Sequence, residues 1–195
     1  MIKAYWASIS WTDWNVGRVL AELDRLHLRD KTIVLFWGDH GYHLGEMGKW
    51  SKHGSLYELG TRVPLIVSAP GAKANGRAVT APVQSLDLYP TLCELCGLSV
   101  PSGLEGHSLT PLLNDPNARW DHPAYSFAGN AKNLGVAVRT ARYRYAEWNG
   151  GEAGAMLIDE VHDPHETRNL IDDPQYQSVK AELSALAKRF AGNAK

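Results

Sequence analysis

Thr32-Ile33-Val34-Leu35-Phe36-Trp37-Gly38-Asp39-His40-Gly41 is the stretch that decides how this chain is read. Its first six residues are β-branched, aliphatic or aromatic with no alternation, the pattern of a strand buried on both faces of a parallel sheet. The run stops abruptly in an acid and an imidazole set between glycines. Ligands gather at the carboxyl ends of strands in open α/β sheets, so Asp39 and His40 stand where a site is expected. A carboxylate beside an imidazole suits a metal ion, and on residue type alone Zn or Mn fits better than Ca. The same pair serves in many loops as a hydrogen-bonded structural feature. Residue types do not separate the two readings.

Downstream, a loop rich in Gly and His runs from Tyr42 to Gly54 and adds His43, Lys49, Lys52 and His53. A lysine beside a metal can hold a tetrahedral oxyanion such as sulfate or phosphate as a point charge. Lys49 reads as a solvated loop lysine. Lys52 and His53 follow Trp50, an indole that calls for cover, and so read less like open surface. A short helical stretch is expected around Ser55 to Leu59, and a second strand at Val63 to Val67 with Pro64 near its start, where a missing N–H costs least. Asp87 is placed to cap a helix through Pro90 to Cys96, ended by Gly97. From Pro101 to Pro123 the chain reads as loop, with one helical turn near Leu112.

Upstream, apolar residues at helical spacing predict a helix over residues 3 to 28, with Glu22, Asp24, Arg25 and Arg29 outward. It is aromatic-rich and starts without a cap or a signal-peptide pattern, which leads to the expectation that an upstream segment covers it. After Pro123 four short strand candidates follow, at Ala124–Ala128, Gly135–Thr140, Tyr143–Trp148 and Ala155–Val161. In the third, Tyr143, Tyr145 and Glu147 alternate with Arg144 and Ala146, as in an antiparallel sheet with one wet face. A final helix is expected from Asp173 to Phe190, with Val179, Leu183, Leu186 and Phe190 on one stripe. The boundary is drawn at residue 121: the edge of a parallel α/β domain over 1–121, and a small antiparallel-sheet-plus-helix subdomain over 122–195.

Composition narrows the function classes. The 195 residues are 44% hydrophobic and 21% charged, which is globular and excludes a disordered tail, a collagen repeat or a coiled coil. Twenty Lys and Arg against 21 Asp and Glu leave no basic excess for neutralising phosphates, so no nucleic-acid partner is expected. No apolar run approaches the ~20 residues of a membrane helix. Cys93 and Cys96 lack matching partners for a zinc site and read as small buried hydrophobes on a helix.

Three segments in order then carry a resemblance. Trp37-Gly38-Asp39-His40-Gly41-Tyr42-His43-Leu44-Gly45-Glu46, Lys49-Trp50-Ser51-Lys52-His53 and Thr61-Arg62-Val63-Pro64-Leu65-Ile66 closely resemble the sulfatase family, nearest to its iduronate-2-sulfatase-like branch. The likeness continues through Ser85 to Leu92, Leu104 to Leu109, Arg142 to Tyr145 and Asp163 to Leu170, nearly the whole chain. It implies an α/β fold: the C-terminal part of an alkaline-phosphatase-like sulfatase fold, plus a small antiparallel α+β subdomain. It implies that Asp39 and His40 are ligands of an active-site Ca²⁺, overriding the leaning to Zn or Mn. Lys52 is the implied catalytic and substrate-binding residue, contacting the sulfate, with His53 beside it in the substrate-binding set. His43 lies close to the implied pocket without a role, and His162 and His165, at a structural Asp-Pro-x-Glu stretch (Asp163 to Glu166), read as loop residues rather than ligands. Implied partners are a sulfated carbohydrate and a missing N-terminal sulfatase segment, and a periplasmic, extracellular or lysosomal location is suggested.

The chain also departs from the family. Sulfatases use a formylglycine made from the Cys or Ser of a C-x-P-S-R or C-x-A-S-R motif, and an N-terminal Asp-Asp pair completes their calcium site. Cys93-Glu94-Leu95-Cys96 and Cys96-Gly97-Leu98-Ser99 fit neither motif, and the N-terminal pair is absent. The expectation is therefore the C-terminal portion of a sulfuric ester hydrolase, inactive by itself. Two alternatives stand beside it: a phosphate or phosphonate ester hydrolase of the same superfamily, and a non-catalytic, truncated anion-binding module.

Overall fold

Residues 1–130 and 132–193 are described in a computed structural model. Helix α1 (Ile2–Arg25) has the expected apolar spacing but buries none of its residues, and Trp6, Ile9, Trp11, Trp14 and Val19 stand exposed. Strands β1 (Val34–Trp37) and β2 (Leu65–Ser68) flank the loop of interest and the short helix α2 (Glu58–Thr61). They pair with each other antiparallel, Val34 opposite Ser68 and Trp37 opposite Leu65. Two expectations fall here. The pairing is not parallel, and β1 is not buried on both faces: Val34, Leu35 and Phe36 are half-buried and Trp37 is 47% exposed. β1 has one partner strand among the described residues and one covered face, where Leu35 and Leu65 pack on Leu88, Leu109 and Leu112.

That cover comes from α3 (Leu88–Leu95) and α4 (Thr110–Asn114), the turn expected near Leu112. Asp87 precedes α3 as expected, but its carboxylate does not cap it. Oδ2 accepts from Gln84 N at 2.9 Å and Oδ1 from His107 N at 2.9 Å, binding the 104–109 stretch to the helix start. Thr91 Oγ1 adds a second tie, accepting from Leu109 N at 2.8 Å. Cys93 is buried as expected, but Cys96, one residue past α3, is exposed.

The second half forms a four-stranded antiparallel meander, β3 (Ala124–Asn130), β4 (Asn133–Arg139), β5 (Tyr143–Trp148) and β6 (Ala155–Asp159), in the order of the chain. Helix α5 (Gln177–Asn193), led in by a 3-10 turn over Pro174–Tyr176, lies on one face. Its Leu183 and Ala187 pack on Val136, Val138, Tyr145 and Leu157. The expected wet face is absent: on the other side Ala137, Ala146 and Met156 pack on Leu56, and Arg144 is 2% exposed. Period-two alternation marks two faces but cannot say that the segment around Leu56, some 90 residues away in sequence, covers the second. No described helix is long and apolar enough to cross a membrane.

Candidate functional site

β1 stops because its backbone runs out of partners. Gly38 N makes a last tie to Pro64 O at 3.1 Å, and Asp39 and His40 then project as exposed residues. Gly41 is next held by Gly60, its N–H donating to Gly60 O at 3.1 Å. A Cβ on Gly41 would lie 2.0 Å from Leu59 O, so only glycine permits this approach.

The loop beyond closes on itself. Gly45 N donates to Lys49 O at 2.9 Å, Leu44 N to Glu46 Oε2 at 2.6 Å, and the Tyr42 hydroxyl to Trp50 O at 3.3 Å. Closure returns Lys52 to the strand end, its Nζ 2.8 Å from Asp39 Oδ2. The Lys52 ammonium is the main cause holding the Asp39 carboxyl below the ordinary carboxylate range. Asp39 remains ionised near neutrality, as a metal ligand must. The side chains are 72% and 37% exposed, so water screens the pair and it adds little to stability.

The other expected residues divide. His53 is exposed, and its backbone N–H donates to Ser51 Oγ at 3.0 Å. Trp50 is not covered as its indole suggested; it is 47% exposed. His43 is fully buried, its Nε2 2.6 Å from Ser55 Oγ and its Nδ1 without a hydrogen-bond partner among the described residues. It is a tie between the loop and the turn at 55–61. His162 is a loop residue as expected, its Nδ1 3.0 Å from Asp159 Oδ2.

Among the described residues no group of three or more His, Cys, Asp or Glu side chains is arranged to hold a metal ion. Asp39 and His40, adjacent and exposed, would supply two donors to such an ion and do not form a complete set among the described residues. Ca²⁺ takes ~6–8 oxygen ligands. An ionised, exposed carboxylate at a chain bend fits that demand as one contributor, with the remaining donors to come from elsewhere.

Sequence reasoning missed the charge cluster behind the site. Arg144, Glu58, Glu160 and Glu166 meet in the seam between α2 and the meander, with Arg139 at its edge. Burial, opposed by Arg144, pushes the Glu166 carboxyl up to about 7. The signal lay in the Asp-Pro-x-Glu stretch and in an arginine flanked by tyrosines on a strand. Neither says which distant residue lies opposite.

The family model described as Sulfatase matches residues 1–98, half of the chain. An ulvan-active sulfatase of Formosa agariphila is 34% identical over 200 residues, covering 97% of this chain and 39% of that protein. The solved structure of BT4656 in complex with D-glucosamine-2-N,6-O-disulfate superimposes with a TM-score of 0.82 at 28% identity, over 91% of this chain and 37% of that one. A phosphonate monoester hydrolase from Silicibacter pomeroyi gives a TM-score of 0.75 at 30% identity, over 93% of this chain and 38% of that one. The chain thus spans less than two-fifths of the length of these relatives. A half-length family match, whole-chain likeness to sulfatases and an Asp-His pair at a strand end lead to one conclusion: this chain belongs to the sulfatase family.

Proposed function

We propose that the chain supplies part of the calcium and sulfate site of a sulfuric ester hydrolase acting on sulfated sugars, of the iduronate-2-sulfatase-like branch. In that reading residues 1–121 are the C-terminal part of the catalytic domain and 122–195 the small subdomain. The observation that carries it is the convergence of Lys52 Nζ on Asp39 Oδ2, 2.8 Å apart at the carboxyl end of β1 with His40 adjacent. Asp39 and His40 would hold the ion, which when bound polarises sulfate oxygens. Lys52 would contact the sulfate and neutralise charge that grows on its oxygens in the transition state. His53 would line the substrate side of the loop. The substrate class is supported by the disulfated glucosamine in the complex of BT4656. An exported or lysosomal setting belongs to the same proposal and rests on the family likeness.

No residue of the chain matches the formylglycine motif, so the 195 residues by themselves are expected to release no sulfate from an aryl sulfate or a sulfated disaccharide. Turnover that tracks the purified chain and disappears in Lys52→Ala would overturn this. The native protein settles the rest. An immunoblot against this region should show a band at roughly twice the chain's mass or more. In that longer protein Lys52→Ala should lower kcat on sulfate esters roughly 10²–10³-fold, and an unchanged rate would remove Lys52 from the site. A second reading, hydrolysis of phosphonate or phosphate esters, is favoured by the likeness to the phosphonate monoester hydrolase. Parallel rates on aryl sulfate and aryl phosphonate monoesters separate the two.

A further inference from the structure

Arg144, the second residue of β5, sends its guanidinium out of the sheet and into the 55–61 turn. Nη1 donates to Leu56 O at 3.1 Å and to Thr61 Oγ1 at 3.0 Å, and Nη2 pairs with Glu58. Nε donates to Glu160 Oε1 at 2.7 Å and lies 3.0 Å from Glu166 Oε1. Glu166 closes the ring, its Oε2 accepting from Glu58 N at 2.8 Å. The two Arg144 terminal nitrogens and Glu166 thus all grip one short turn.

The opposite side of that turn faces the candidate site. Ser55 Oγ holds His43, and Gly60 O holds the Gly41 N–H. There is no slack between them: a Cβ on Gly60 would lie 2.5 Å from Ser55 Cβ, and one on Gly41 2.0 Å from Leu59 O. Gly41 directly follows Asp39 and His40, while His43 opens the loop that returns Lys52. Any displacement of the turn therefore reaches both arms of the site.

We propose that Arg144 is a positioning residue for the Asp39–Lys52 site, transmitting the geometry of the four-stranded sheet through the 55–61 turn to Gly41 and His43. Burying the Arg144 guanidinium among three carboxylates is a poor route to stability, because desolvation offsets much of the attraction. Glu166 also holds a left-handed backbone, φ 53°, that costs a non-glycine residue energy. A rigid guanidinium fork with several directional bonds fixes where a segment sits, which an apolar contact does less well. What the site does rests on the sulfatase reading; the coupling itself does not.

The test is amide hydrogen exchange and His43 ring-nitrogen NMR on the 195-residue chain, each protein held an equal interval below its own melting point. Arg144→Met and Thr61→Val are compared with Leu183→Ala, a core truncation on the other face of the sheet. Arg144→Met should speed exchange at the Gly41 amide roughly tenfold or more beyond Leu183→Ala, the scale expected for losing hydrogen bonds to a charged donor. It should also shift the His43 ring signals. Thr61→Val, which removes one acceptor, should move both in the same direction by less. Equal Gly41 exchange in Arg144→Met and Leu183→Ala, with His43 unchanged, overturns the proposal. If Arg144→Met does not fold, a folded Thr61→Val indistinguishable from the control overturns it instead. No readout uses a sulfate ester, so this outcome is separate from a failure of Lys52→Ala to impair hydrolysis.

Discussion

Glu166 is 7% exposed, and its carboxyl is raised from the ordinary 4.5 to about 7, first by burial. The folded chain therefore binds this proton at a pH where the unfolded chain has released it. Stability falls as pH rises from about 4.5 through 7, on the order of 3 kcal/mol for a shift of this size. The melting temperature should accordingly be higher at pH 5 than at pH 8, and Glu166→Gln should flatten that slope; a slope unchanged in the variant assigns it to another group. Asp159 acts in the opposite sense. Hydrogen bonds from Arg142 are the main cause holding it down at about 2, so its contribution is present above the ordinary 3.8 and lost as pH falls toward 2. Gly41→Ala should be among the most damaging single-methyl changes, costing roughly 2 kcal/mol or more, because the new Cβ would meet the Leu59 carbonyl. Urea unfolding measures it directly. At this scale Asp39, His40 and Lys52 were readable as candidates from residue type and spacing. Their meeting was not, since it depends on the closure of a loop with Gly45 at φ 120° and Met47 at φ 51°.

The meander and α5 illustrate what an element can announce. All four strands and the stripe of Val179, Leu183, Leu186 and Phe190 followed from alternation and helical spacing, with ends shifted by a few residues. Leu183→Ala should cost about 2–5 kcal/mol, because its side chain fills the layer between helix and sheet, and thermal unfolding would show it. The polar face of β5 was misread for a tertiary reason: Arg144 is charged yet lies under the 55–61 turn. Helix α1 presents the reverse case. Its apolar stripe is legible, but none of it is fully buried: Val16, Leu20 and Leu23 are half-buried, and Trp11 stacks on Trp14 in the open at 5.0 Å. An exposed apolar stripe of this size favours association. Sedimentation of the purified chain should show concentration-dependent self-association, relieved by joint Trp6→Gln, Trp11→Gln and Trp14→Gln; a monomer at every concentration would show that the stripe is tolerated in water.

At the scale of the molecule, two sheets are joined through the 55–61 turn, which packs Leu56 under the meander and hands Gly60 O to the site loop. The candidate site is thus supported from both halves while lying on the open surface of one. By itself the sequence determined the family, the order of the elements and the candidates for the site, because these depend on local periodicity and on motifs a few residues long. The antiparallel pairing of β1 with β2, the dry second face of the meander, the contact of Lys52 with Asp39 and the Arg144 cluster were decided only by the tertiary structure. Each joins residues 13 to 108 positions apart, and no local pattern encodes which distant partner will bury a face or neutralise a charge.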